Sequence, residues 1–165
     1  MLIHRGRIFS YGTETATLPN GLEVELEIVR HPGASAVVPL HDDGTVTLVR
    51  QYRHAAGGMI YEIPAGVKEA GEDPELCALR ELAEEVYLSG ALELLGCIHT
   101  TPGFSDERIW IYLATGLEPA EGERDHDEYI EIVRVPLAEA VGMVAEGRIT
   151  DAKTICGLLL AQRLR

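Results

Sequence analysis

Glu81, Glu84 and Glu85 stand at i, i+3 and i+4 within RELAEEVYLSG, Arg80 to Gly90. At 3.6 residues per turn, that spacing puts three carboxylates on one face of a helix. Like charges so placed repel, and a helix built only for stability would interleave lysines. A hard divalent cation relieves the repulsion: Mg²⁺ or Mn²⁺ takes oxygen ligands and shares them with substrate phosphates. A solvated acidic face has the same spacing, so the three glutamates alone leave both readings open.

The carrying helix is predicted from EDPELCALRELAEEVY, where Leu76, Leu79, Leu82 and Val86 recur every three or four residues. They form one apolar stripe, expected to be buried, with the glutamates opposite. Asp73 suits the N-cap and Pro74 the first helical position. Upstream, Gly66 and Glu72 precede Arg80 at fixed distances. Together Gly66, Glu72, Arg80, Glu81, Leu82, Glu84, Glu85 and Leu88 match glycine, five residues, glutamate, seven residues, then Arg-Glu-apolar-x-Glu-Glu-x-Gly-apolar. This resembles the Nudix hydrolase signature. The one departure is Tyr87 in the place of the second glycine. A glycine at Gly66 lets the loop turn and brings backbone close to phosphate. Arg80 can pair with Glu72 or Glu84 and orient the carboxylates.

The resemblance implies an α+β fold: a Nudix-type α/β/α sandwich with a mixed sheet, preceded by an N-terminal antiparallel strand region. It implies Glu81 and Glu85 as ligands of Mg²⁺ or Mn²⁺, Glu84 assisting, and the backbone carbonyl of Ala65 as a further ligand. The implied chemistry is attack of water on a diphosphate. Further stretches, VRHPGASAVVPL, VRQYRHAAGGMIYEIPAG, TTPGFSDE and DAKTICGLLLA, are similar to the ADP-ribose pyrophosphatase group, in which a proline such as Pro102 follows the box. That group implies a nucleoside diphosphate sugar as substrate. In it Arg53 would contact the diphosphate, since a guanidinium grips phosphate oxygens in pairs; otherwise it is a surface arginine at a strand end. Glu107 would serve as the base; otherwise it forms a plain loop charge pair with Asp106. Phe9 or Tyr11 would stack on adenine, or pack in the strands. Such relatives usually dimerise by exchanging N-terminal strands. Residues 1–33 are therefore expected to dimerise and complete the pocket, and residues 34–165 to form the hydrolase domain.

The elements must place these groups. PNG marks a turn before LEVELEIVR, which alternates with period two. ASAVVPL and TVTLVRQYR flank HDDG, a hairpin signal, and MIYEIPAG is a strand stopped at Pro64. ALELLGCIHT and RIWIYLATGL read as strands around TPGFSDE; GERDHDE is an acidic loop; YIEIVRVP is a strand. LAEAVGMVAEG and DAKTICGLLLAQRL are helices, the second capped by Asp151. At Tyr87, a left-handed backbone would cost about 1 kcal/mol. The helix is therefore expected to run on and let Gly90 make the turn, with the metal site retained.

The chain's 165 residues suffice for one domain. Its 27 acidic against 14 basic residues give a net charge of −13, which repels nucleic acid and anionic lipid. No signal peptide or membrane span is legible. Three dispersed cysteines read as small buried hydrophobes in a reducing compartment, the cytoplasm, and the scattered histidines give no zinc pattern.

Overall fold

The computed structural model describes residues 1–123 and 129–164; most of the acidic loop GERDHDE lies outside them. Ten strands and three α-helices are described, in the order β1 (Leu2–Arg5), β2 (Ser10–Thr17), β3 (Glu23–Arg30), β4 (Ala34–Pro39), β5 (Thr45–Arg53), β6 (Gly58–Glu62), β7 (Ala65–Val67), α1 (Pro74–Val86), β8 (Leu88–His99), β9 (Arg108–Pro119), β10 (Ile130–Pro136), α2 (Leu137–Ala145) and α3 (Ala152–Gln162). They make three sheets, ordered β1-β2-β3, β10-β5-β6 and β7-β4-β9-β8.

Strand β4 explains the layering. All six of its residues are buried, and it pairs in parallel with β9, the arrangement of a strand covered on both faces. Successive side chains point to opposite faces. Ala36 and Val38 join Leu48, Ile111, Met143 and Leu158 in the core under α2 and α3. Val37 joins Ala78, Leu82, Val86 and Tyr112 under α1. Helices on both sides of mixed strands give the expected α/β/α sandwich. No helix among the described residues is long and apolar enough to cross a membrane.

Four local expectations need correction. The HDDG turn forms, with Gly44 at φ +81°, but its flanking strands meet only at Leu40 and Val46 and then enter different sheets. On α1 the buried residues are Cys77, Ala78, Glu81, Leu82, Glu85 and Val86, while Leu76 is 61% exposed. Glu81 and Glu85 therefore share the buried face rather than lying opposite it. Cys77 is buried as expected, but Cys97 is exposed. The end of α1 is not shifted: Tyr87 itself takes the left-handed conformation, φ 58°, ψ 39°, and its N–H reaches the Ala83 carbonyl at 3.1 Å. The cause is the next strand. The Tyr87 carbonyl accepts the Ala120 N–H at 2.9 Å, and Leu88 is already paired with Pro119. The helix has no residues left in which to run on. Gly90 serves another need, because a Cβ there would stand 2.7 Å from the Thr115 carbonyl oxygen.

Candidate active site

Asp73 starts α1 as expected: its carboxylate accepts the Glu75 N–H at 2.8 Å, with Pro74 in the first turn. Ala78, Leu82 and Val86 pack into the core, and one side of the helix becomes the wall of a cleft of about 1040 Å³. Arg80, Glu81, Glu84 and Glu85 line this wall, with Ala65 and Gly66 of β7 beside them.

Arg80 organises the carboxylates. Its Nε and Nη2 donate to both oxygens of Glu72 at 3.0 and 3.1 Å. Its Nη1 donates to Glu81 at 2.6 Å and Glu84 at 3.0 Å, and Nη2 reaches the Val67 carbonyl at 3.2 Å. One guanidinium thus ties the Gly66–Glu72 loop to the helix, using both pairings anticipated for it. Arg80's hydrogen bonds hold the Glu72 carboxyl below its usual range, against the opposing effect of burial. The same carboxylates hold Arg80 above its own usual value. Glu85, 2% exposed, accepts the Ala65 N–H at 3.1 Å. Cys77 of α1 lies beside Gly66 and Arg80, and burial pushes its thiol up to about 11.

Gly66 shows why a glycine is needed at the head of the loop. A Cβ there would stand 1.9 Å from Glu81 Oε1 and 2.2 Å from its Cδ. The Glu81 carboxylate lies in the space that any side chain would fill.

Across the cleft, Arg53 at the end of β5 grips Glu62 with Nε and Nη2 at 2.7 and 3.0 Å. Lys153, in the first turn of α3, contacts the same carboxylate and also lines the cleft. Glu107 stands just before β9 and lines the cleft too. Its carboxylate accepts the Thr100 hydroxyl at 2.6 Å and lies 3.6 Å from His31 Nδ1. Asp106 does not pair with Glu107; it accepts from Arg30 Nη1 at 3.0 Å and the His31 N–H at 2.8 Å. Phe9 and Tyr11 are not brought into the cleft of this chain. Arg5, Arg7 and Ile8 line it instead, and Tyr11 borders a smaller recess.

Glu62, Lys153, Thr100 and His31 were not singled out by type and spacing. For Lys153 a signal existed: a lysine in the first turn of a helix opposes the macrodipole and needs a carboxylate nearby. Glu62, a charge closing an apolar strand, is the matching anomaly.

A family model described as the NUDIX domain matches residues 29–158. The chain belongs to the Nudix family. It is 41% identical to a methanol dehydrogenase activator of Bacillus methanolicus, over 97% of this chain and 88% of that one. It is 41% identical to an ADP-ribose pyrophosphatase of Bacillus subtilis (strain 168), over 92% of this chain and 84% of that one. A crystal structure of an ADP compounds hydrolase superposes with a TM-score of 0.84 at 25% identity, covering 99% of this chain and 90% of that one.

Nudix hydrolases generally use a divalent metal, and the residues of this site fit one. The donors are carboxylate oxygens, two of them on nearly buried side chains, and Gly66 keeps backbone and Glu81 in contact. Among the described residues, no three His, Cys, Asp or Glu side chains already converge as a cage, because Arg80 holds Glu72, Glu81 and Glu84. Such a cage is not required of an ion that keeps several waters and shares substrate oxygens.

Proposed function

We propose that this Nudix hydrolase cleaves the diphosphate of a nucleoside diphosphate sugar, foremost ADP-ribose. Water adds to one phosphorus, the bridging P–O bond breaks, and AMP and ribose 5-phosphate leave. The observation that carries the reading is the wall of α1, where Arg80 draws Glu72, Glu81 and Glu84 together beside Glu85 and Gly66 in a cleft large enough for a nucleotide sugar.

Each residue then has a task. Glu81 and Glu85, assisted by Glu84 and the Ala65 carbonyl, would hold Mg²⁺ or Mn²⁺, which would supply neutralisation of the diphosphate charge and acidification of the attacking water. Arg80 keeps the carboxylates aligned. Gly66 admits the phosphates close to the backbone. Glu107, fixed by Thr100, accepts the water's proton. Arg53, its fork oriented by Glu62, grips the diphosphate.

The N-terminal sheet supports a homodimer, residues 1–33 completing the partner's pocket beside the catalytic domain of residues 34–165. Leu2, Ile3, Ile8, Phe9 and Leu22 are all large, apolar and 46–62% exposed there, more than a lone three-stranded sheet normally leaves to water. Phe9 or Tyr11 would then meet adenine across the interface. A dimeric mass in solution at micromolar concentration is expected; a monomer at that concentration refutes the arrangement. Three free cysteines, one exposed, suit a reducing compartment such as the cytoplasm.

The test is incubation of the purified protein with Mg²⁺ and, separately, ADP-ribose, ADP-glucose and GDP-mannose, with products separated by chromatography. AMP from ADP-ribose is expected at the highest kcat/KM. Binding of ADP-ribose without product under Mg²⁺ or Mn²⁺ would instead mark a binding module. Glu85→Gln keeps an acceptor for the Ala65 N–H and is expected to lose turnover with its melting temperature nearly unchanged. Unchanged turnover would remove Glu85 from the metal site.

A further inference from the structure

Glu62 carries two cations. It is 2% exposed, bound in a fork by Arg53 on one side and contacted at Oε2 by Lys153 on the other. Burial alone would push the Glu62 carboxyl up, yet the Arg53 hydrogen bonds and the Lys153 charge hold it below the usual range. Lys153 is itself only 9% exposed, so its ammonium has lost most of its water, and it sits at the end of α3 where the macrodipole disfavours a cation. Two carboxylates hold it there, Glu62 and Asp151. Its Nζ lies 3.1 Å from the Asp151 carboxylate, and Asp151 caps α3 by accepting the Thr154 N–H at 2.9 Å. The Thr154 hydroxyl oxygen accepts the N–H of Ile63, the residue after Glu62, at 2.8 Å. The first turn of α3 is thereby locked to the backbone that carries Glu62.

We propose that Lys153 is a positioning residue for substrate capture: acting through Glu62, it fixes the Arg53 guanidinium in the cleft wall. This rests on the reading of Arg53 as the diphosphate contact. Glu62 is thus shared between Arg53 and Lys153, and Lys153 is shared in turn with Asp151. Without the ammonium, Glu62 is a buried anion with Arg53 as its remaining fork partner. The arginine is drawn toward it and away from the phosphates. Lys153 does not need to touch the substrate for this.

The test is steady-state kinetics on whichever nucleotide sugar the unmodified protein hydrolyses, with melting temperatures recorded in parallel. Arg53→Ala removes the proposed contact and is expected to raise KM tenfold or more, roughly the value of a charge-assisted hydrogen bond. Lys153→Met is expected to raise KM by about tenfold with kcat within about threefold, the pattern of lost ground-state binding. Lys153→Arg is expected to restore most of that loss. In the Arg53→Ala background, Lys153→Met is expected to add nothing, because the residue it acts on is gone. Additive losses would overturn the proposal. So would a lowered melting temperature with unchanged KM, the behaviour of a purely structural ion pair. If Lys153→Met fails to fold, Lys153→Gln takes its place in the same cycle: non-additivity with Arg53→Ala supports the relay and additivity overturns it. Unchanged KM in Arg53→Ala would defeat the reading of Arg53 itself. A raised KM there, with normal KM in Lys153→Met, would defeat the relay alone.

Discussion

Gly66→Ala separates catalysis from stability in one methyl group. Gly66 is not among the residues at positive φ, so its backbone accepts alanine without strain, and such replacements ordinarily stabilise by about 0.4–1 kcal/mol through the unfolded chain. The added Cβ would meet Glu81 Oε1 at 1.9 Å. Ordinary contact begins near 3.4 Å, so the carboxylate must retreat by about 1.5 Å. It is the far end of a flexible side chain, and its movement sacrifices the 2.6 Å hydrogen bond from Arg80, about 1–3 kcal/mol at most. The melting temperature is therefore expected to change by only a few degrees. A catalytic group displaced by about 1 Å typically costs about 100-fold in rate, or about 2.7 kcal/mol of barrier. The assay is kcat under saturating Mg²⁺, alongside Mg²⁺ titration by calorimetry, where weaker binding is expected. Wild-type turnover and cation affinity in Gly66→Ala would refute both the placement of Glu81 and its role.

Tyr87→Gly removes the left-handed strain, about 1 kcal/mol, but loses the contacts of a side chain that is only 42% exposed and loosens the unfolded chain. Stability is expected to stay within about 1 kcal/mol of the parent by denaturant titration, with turnover within about twofold; a large gain in turnover would show that Tyr87 restrains catalysis. The pKa of Glu62 is lowered in the folded state, below its free value of about 4.3. Its contribution to stability is thus full above that value and is lost as pH falls through the folded value. Acid titration of the parent against Glu62→Gln should show the parent's advantage shrinking below about pH 4; a constant difference would contradict the assignment.

Local signals were legible where a few adjacent residues decide the outcome. Asp73-Pro74 and Asp151 cap their helices because each carboxylate reaches an N–H two or three residues on. The Asp-Gly turn forms because Gly44 takes positive φ. Partners distant in sequence were not legible: nothing beside HDDG says that β4 leaves β5 to pair with β9. The burial of Glu81 and Glu85 depends on distant partners in the same way. Apolar periodicity counts glutamate as polar, whereas Gly66 and the Ala65 N–H, brought in by β7, give these two side chains a place inside. At Tyr87 a local preference of about 1 kcal/mol is overridden by the strand that starts at Leu88. The signature positions are legible as one wall of the cleft because their spacing reflects Arg80's reach to Glu72, Glu81 and Glu84. The Glu62–Lys153 contact joins two segments far apart in the chain and left only the odd placement of each charge as a trace.

The loop bearing Glu107 is stitched to β3. Val29 donates to the Phe104 carbonyl at 2.8 Å, and Asp106 donates its N–H back to Val29 at 3.2 Å. Arg30 then bridges that Asp106 carboxylate to Glu14 of β2. A graft that exchanged the first thirty residues for those of a relative would keep the backbone bonds at position 29, but it would need a cation at position 30 and an anion at position 14 to hold Asp106 and the 101–107 loop as they are. Breeding new specificities by shuffling segments would thus have to treat these charged positions as a single heritable block, whatever lies between them in the chain.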